Sequence, residues 1–182
     1  WCSSQGHFMV RTFVAGLLKI DMSKIKVTAA EIGGGFGGKT TVYLEPLAVM
    51  LSSKSGRPVR MVMSRDEVFR ASGPTSGAAM TIKMGAKKDG TIVACDATLY
   101  LQAGAWPGSP VGPAAMTAFA PYDVDNVRVI GFDVVSNRQK VVAYRAPGAP
   151  ISEYGVECIV DELAIELGID PLELRAKNGA KE

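Results

Sequence analysis

An α+β fold, with mixed or antiparallel sheet and helices packed on it, is what this chain predicts from three observations. Apolar runs at helical spacing occur at both ends of the chain. A turn signal, Lys87-Lys88-Asp89-Gly90, joins residues 80–84 to residues 91–94, and a hairpin requires antiparallel pairing. Between residues 33 and 38 five positions of six are glycine, which no helix or strand interior accommodates cheaply.

Taken in order, residues 1–6 read as a loop. Phe8, Met9, Phe13, Val14, Leu17 and Leu18 mark a helix over 8–18. Asp21-Met22-Ser23 turns into a strand over 25–29. The glycine block follows, then a helix over 41–53 that buries Val42, Leu44, Leu47, Ala48, Met50 and Leu51 and ends at Gly56-Arg57-Pro58. Residues 59–63 read as a strand. Ser64 with Glu67 forms a capping box for a short helix. The hairpin and its continuation span 81–103. Residues 103–120, rich in Gly, Pro and Ala, read as a loop or loose helix near a pocket. Strands over 127–142 are interrupted by Ser136-Asn137, and residues 144–150 form a second loop. A strong amphipathic helix covers 151–167 and stops at Gly168. Asp170-Pro171 opens the last one. A soft internal boundary is expected near residues 73–77.

Composition bounds the function. The apolar fraction is 47% and the formal net charge +2, with no basic run, so nucleic acid is not the partner. No stretch approaches the roughly 20 apolar residues of a membrane span. Cys2, Cys95 and Cys158 show no C-x-x-C spacing, so no zinc or iron–sulfur site is expected within these residues and no direct metal ligand among the side chains. A reducing, cytoplasmic compartment fits them. A start at Trp1 and a polar end lead us to expect a fragment or processed subunit.

The glycine block also satisfies G-x-x-x-x-G-K-[ST] at Gly33, Gly38, Lys39 and Thr40, the phosphate-loop pattern. A nucleotide fold needs a parallel sheet and an Asp ending an apolar strand. The nearest candidate, Asp133, follows a run broken by Arg128 and Gly131, and the hairpin disfavours that architecture.

Ser3-Ser4-Gln5, the block at 33–39, Gly56-Arg57-Pro58-Val59-Arg60, Arg65-Asp66-Glu67 and Val142-Ala143-Tyr144-Arg145 lie in one order. Together they resemble the molybdenum hydroxylases, the xanthine dehydrogenase and aldehyde oxidase family, in its molybdenum-binding subunit. The resemblance covers nearly the whole chain and outweighs the phosphate-loop match. It implies hydroxylation of an electron-poor carbon, heteroaromatic or aldehyde, with oxygen from water. It implies molybdenum on molybdopterin, in the cytosine dinucleotide form, with iron–sulfur clusters and FAD on partner subunits or domains. A non-catalytic scaffold domain is the other alternative.

Residue by residue, the resemblance puts Gln5 beside an apical oxo ligand, where an amide N–H donates without adding charge. Gly35, Phe36 and Gly37 lie toward the cofactor, with the Gly37 N–H free for a ligand and Phe36 walling the substrate side. Arg145 holds an anionic ligand or substrate group. Ala146 stands where carbon monoxide dehydrogenases carry a copper-binding cysteine. Thr40 and Pro147 line the substrate pocket where xanthine dehydrogenases carry a glutamate and a phenylalanine, and no arginine lies near Pro113. Purine hydroxylation is therefore disfavoured. Lys39 is structural in this reading, and Glu153 with Glu157 reads as an exposed pair. The family's general base lies in a Gly-Glu motif that these residues lack, so the isolated chain is expected not to turn over.

Overall fold

The computed structural model describes residues 1–181 and divides them into two compact units. The first comprises Trp1–Pro74 with Val142–Arg145; the second comprises Thr75–Val141 and the stretch from Ala146 on. The architecture is α+β.

Helices dominate the first unit. Helix α1 (His7–Leu18) buries Val10 and Val14. Helix α2 (Glu45–Ser55) begins later than the spacing suggests, because the Glu45 carboxylate turns back to accept the Tyr43 N–H at 2.9 Å and Pro46 occupies the opening turn. None of its residues is buried, so the apolar face expected to enter a core stays half-open. Helix α3 (Arg65–Ala71) shows both legs of the capping box, Glu67 N–H to Ser64 Oγ at 3.3 Å and Ser64 N–H to Glu67 Oε2 at 2.7 Å. The strands expected at 25–29 and 59–63 are absent as ladders. The first makes a single parallel bridge, Ala29 to Cys2, and the second pairs with nothing among the described residues.

The second unit is built on a three-stranded sheet in the order β1 (Ala78–Ala86), β2 (Ile92–Gly104), β3 (Asn126–Val135). β1 and β2 form the expected hairpin, with Met80 opposite Leu99. β2 and β3 run parallel, so the sheet is mixed. Alternation along β2 sends Cys95, Ala97, Leu99, Leu101 and Ala103 to one face, all buried. Helices α4 (Val111–Thr117) and α5 (Ala149–Leu167) contribute Ala114, Val156, Val160 and Ala164 to that core. Burying a leucine of this kind is worth about 1.5–3 kcal/mol. Burial pushes the Cys95 thiol up to about 11, so it stays protonated as core filler. The open face carries the stacked Tyr100–Phe132 pair, centroids 4.8 Å apart, and the Arg128–Asp96 ion pair at 2.6 Å.

Helix α6 (Pro171–Asn178), capped by Asp170, is locked to the hairpin turn by buried Asn178. Its amide donates to Gly90 O and Leu174 O, both at 2.8 Å, and accepts the Ile92 N–H at 2.8 Å. Glu157 is not an exposed partner of Glu153. It accepts from Tyr122 Oη at 2.6 Å and Arg175 Nε at 2.7 Å, tying α5 to α6.

Candidate functional site

The first unit threads its leading residues along the glycine block. Cys2 N–H donates to Thr28 O at 3.1 Å and Ala30 N–H to Cys2 O at 2.9 Å. Lys39 O then receives both the Gln5 N–H at 3.0 Å and the Ser4 hydroxyl at 3.2 Å. Ser4 is 3% exposed and also accepts the Gly6 N–H at 3.1 Å, so it brackets Gln5 from both sides.

The Gln5 side chain closes over the loop. Its Oε1 accepts the Gly37 N–H at 2.9 Å and the Lys39 N–H at 3.1 Å. Two backbone donors leave no choice of amide orientation: the oxygen faces the loop and the NH₂ faces outward. That NH₂ has no partner among the described residues. The Gly37 N–H, expected to be free for a ligand, is thus committed to Gln5, and the outward donor is the amide itself. Gly35 is what allows this approach, since a Cβ there would lie 2.4 Å from Gln5 Oε1.

In this unit Phe36 (φ +51) and Arg145 (φ +33) are non-glycine residues in the left-handed region; in the second unit Ala146 (φ +55) is another. Each costs on the order of 1–3 kcal/mol, and such residues cluster where geometry serves a ligand. Phe36 O accepts the Arg145 N–H at 2.7 Å, so two strained positions of the first unit brace one another. The Phe36 ring is 64% exposed and lies over Gly34, where a Cβ would come within 3.0 Å of it. The Arg145 side chain is exposed and has no ion-pair partner among the described residues.

Thr40 donates its hydroxyl to Gly37 O at 2.7 Å, and Tyr43 Oη donates to Gly38 O at 3.1 Å. Burial holds the Tyr43 phenol above its ordinary range, which keeps it a donor. The Lys39 ammonium reaches Ser3 Oγ at 3.0 Å and the Ile32 carbonyl. A phosphate loop needs that ammonium free, a strand before it and a helix directly after it. Here the lysine is turned inward, residues 25–29 form no ladder, and α2 starts only at Glu45. The phosphate-loop reading fails on all three.

The structure therefore assembles Gln5, Gly35, Phe36, Gly37, Thr40 and Arg145 within the first unit. Ala146 and Pro147 belong to the second, where they lead into α5. Ser4 and the left-handed backbone at Phe36 and Arg145 had no signal in the sequence, because neither a buried serine nor positive φ at Phe or Arg follows from residue type. The side-chain groups left without a partner are donors: the Gln5 NH₂ and the Arg145 guanidinium. That chemistry suits an anionic or oxo-bearing group.

Residues 1–179 match the family model described as the molybdopterin cofactor-binding domain. The chain belongs to this family. Among the relatives of this molybdopterin cofactor-binding domain is the xanthine dehydrogenase of Blastobotrys adeninivorans. It is 33% identical over 98% of this chain and 13% of its own length. The nicotinate dehydrogenase large molybdopterin subunit of Eubacterium barkeri is 34% identical over 97% of this chain and 42% of its own. Among solved structures, aldehyde oxidoreductase from Desulfovibrio gigas superposes with a TM-score of 0.91 at 32% identity, over 98% of this chain and 20% of that one. Quinoline 2-oxidoreductase from Pseudomonas putida 86 gives 0.92 at 29% identity, over 100% and 24%. The domain thus spans less than half the length of each of these relatives.

Proposed function

We propose that this domain forms part of the molybdenum-binding subunit of an oxidoreductase that hydroxylates an electron-poor carbon with oxygen from water. The observation that carries the reading is the Gln5 amide, fixed by Gly37 and Lys39 with its donor end outward. When bound, the molybdenum–molybdopterin group supplies the two-electron oxidation and the oxygen transfer. The chain's own residues bind and orient. Gln5 donates to an oxo oxygen without changing local charge. Gly35 makes room for the Gln5 side chain, and Gly37 supplies one of the two N–H groups that fix it. Arg145 holds an anionic group of cofactor or substrate. Phe36 shields the substrate side from water, which strengthens the neighbouring hydrogen bonds. Ala146 leaves room where a thiolate would bring a second metal.

Thr40 shapes the substrate side of the first unit. The Thr40 hydroxyl is committed to Gly37 O, so it presents no group that replaces a carboxylate on a purine edge. We therefore assign a heteroaromatic or aldehyde substrate, the classes named by the nicotinate, quinoline and aldehyde enzymes to which the chain is similar. The pterin is the cytosine dinucleotide form. Iron–sulfur and FAD modules on partner subunits or domains accept the electrons, and the general base comes from outside these residues. Three free thiols suit the cytoplasm.

Elemental analysis of the full assembly tests the reading. About one molybdenum per assembly, with a cytosine-type pterin released on denaturation, is expected. A well-folded, complete assembly without the metal overturns it.

A further inference from the structure

A loop with five glycines in six positions has more backbone freedom to lose than any other stretch of this chain. It must nevertheless keep one shape, because the Gln5 amide takes its direction from the Gly37 and Lys39 N–H groups. Bonds within the loop run only between Gly35 and Thr40 among the described residues. Gly38 N–H donates to Gly35 O at 2.8 Å, Thr40 N–H to Gly37 O at 3.3 Å, and the Thr40 hydroxyl to the same oxygen at 2.7 Å. None of these reaches the entry of the loop.

The Lys39 side chain does. Its ammonium folds back across the neck and donates to Ile32 O, on the residue just before the glycine block. It also donates to Ser3 Oγ at 3.0 Å, and that hydroxyl donates to Ile32 O at 3.1 Å. Loop entry, loop exit and leading segment thus close into a three-cornered ring. The Lys39 backbone grips the same leading segment. Its N–H goes to Gln5 Oε1 at 3.1 Å, and its carbonyl accepts the Gln5 N–H at 3.0 Å and the Ser4 hydroxyl at 3.2 Å. The ammonium pairs with no carboxylate among the described residues, so these neutral oxygens are its partners. Charge-assisted bonds of this kind are about twice as strong as neutral ones.

We infer that Lys39 is a positioning residue: its ammonium clasps the neck of the glycine loop and so sets the direction in which Gln5 presents its NH₂. The inference rests on the reading of Gln5 as donor to the molybdenum group. Without the clasp the glycines recover their freedom, and the two N–H groups no longer stay trained on Oε1.

Hydrogen exchange of the Gly37 amide, read on the full subunit without molybdenum, is the first test. Lys39→Met, neutral and of similar length, should quicken it at least about 10-fold, toward the rate in Gln5→Ala, while the Val14 amide of α1 stays within about 3-fold. Lys39→Arg should restore much of the protection. An unchanged Gly37 rate overturns the inference. Should Val14 quicken as well, Ser3→Ala decides by the same criterion: it removes one exposed corner of the ring and should quicken Gly37 about 3-fold. The second test is a double-mutant cycle in the loaded assembly, with whichever of nicotinate, quinoline and benzaldehyde it oxidises. Lys39→Met should lower kcat about 10- to 100-fold with KM nearly unchanged, and by no more than about 3-fold in a Gln5→Ala background. Equal losses in both backgrounds overturn the inference. An assembly without molybdenum, or one in which Gln5→Ala keeps its kcat, overturns instead the reading of Gln5, and the Gly37 amide still decides the clasp.

Discussion

Replacing Gln5 by Glu separates folding from function at one atom. The carboxylate keeps an oxygen for the Gly37 and Lys39 N–H groups, now at 2.9 and 3.1 Å from Gln5 Oε1, and as a charged acceptor it binds them at least as well. What it loses is the outward NH₂, and it adds a negative charge facing the site. Gln5→Ala removes both bonds; at about 0.5–1.5 kcal/mol each, it costs about 1–3 kcal/mol. Urea denaturation should therefore leave Gln5→Glu within about 0.5 kcal/mol of the parent and lower Gln5→Ala by that larger amount. In the full assembly the order reverses in severity. Loss of one oriented donor at a site of developing charge lowers kcat by about 100- to 1000-fold, and Gln5→Glu should fall at least that far. Wild-type kcat and molybdenum content in Gln5→Glu would refute the assignment of the amide as the outward donor.

The same geometry fixes the outcome of four other perturbations. Phe36→Gly relieves left-handed strain and should stabilise the chain by up to about 1 kcal/mol in denaturation while lowering activity of the assembly; Phe36→Val should destabilise it by about 1–2 kcal/mol. Ser4→Ala orphans the Gly6 N–H and frees Lys39 O from one donor, costing about 1–2 kcal/mol by the same assay. Asn178→Ala strands the buried Ile92 N–H and Gly90 O, and calorimetry should show about 2–4 kcal/mol lost. Burial, then the bond to Glu157, raises the Tyr122 phenol above its ordinary value of 10.0. The folded state thus holds this proton more tightly than the unfolded one. Its contribution is complete below pH 10 and is lost as pH rises above it, so a stability–pH curve should fall there in the parent and flatten in Tyr122→Phe.

Local chemistry made much of this fold legible from the residues alone. The turn at Asp89-Gly90, the Ser64–Glu67 box, the stop at Gly168 and the cap at Asp170 each depend on groups within a few positions of one another. So do α1 and α5, whose apolar spacing is a property of one helix. Residues 25–29 and 59–63 show the limit: alternation marks a strand, but a ladder requires a neighbour, and none is present among the described residues. The 45–55 helix carries its apolar pattern for the same reason without burying a residue.

At the site, the glycine block stood out by its own residues, five glycines in six positions, whereas Gln5 and Arg145 were singled out only by the resemblance to the molybdenum hydroxylases. The folded chain decided how they act. Only the contact of Gln5 with Gly37 and Lys39, over more than thirty residues of chain, turned an ordinary glutamine into an oriented donor and used the N–H expected for a ligand. The inward Lys39 ammonium, the missing ladder at residues 25–29 and the start of α2 only at Glu45 together distinguished this loop from a phosphate cradle. And positive φ at Phe36 and Arg145 is held by a hydrogen bond between two distant loops, which no local preference encodes.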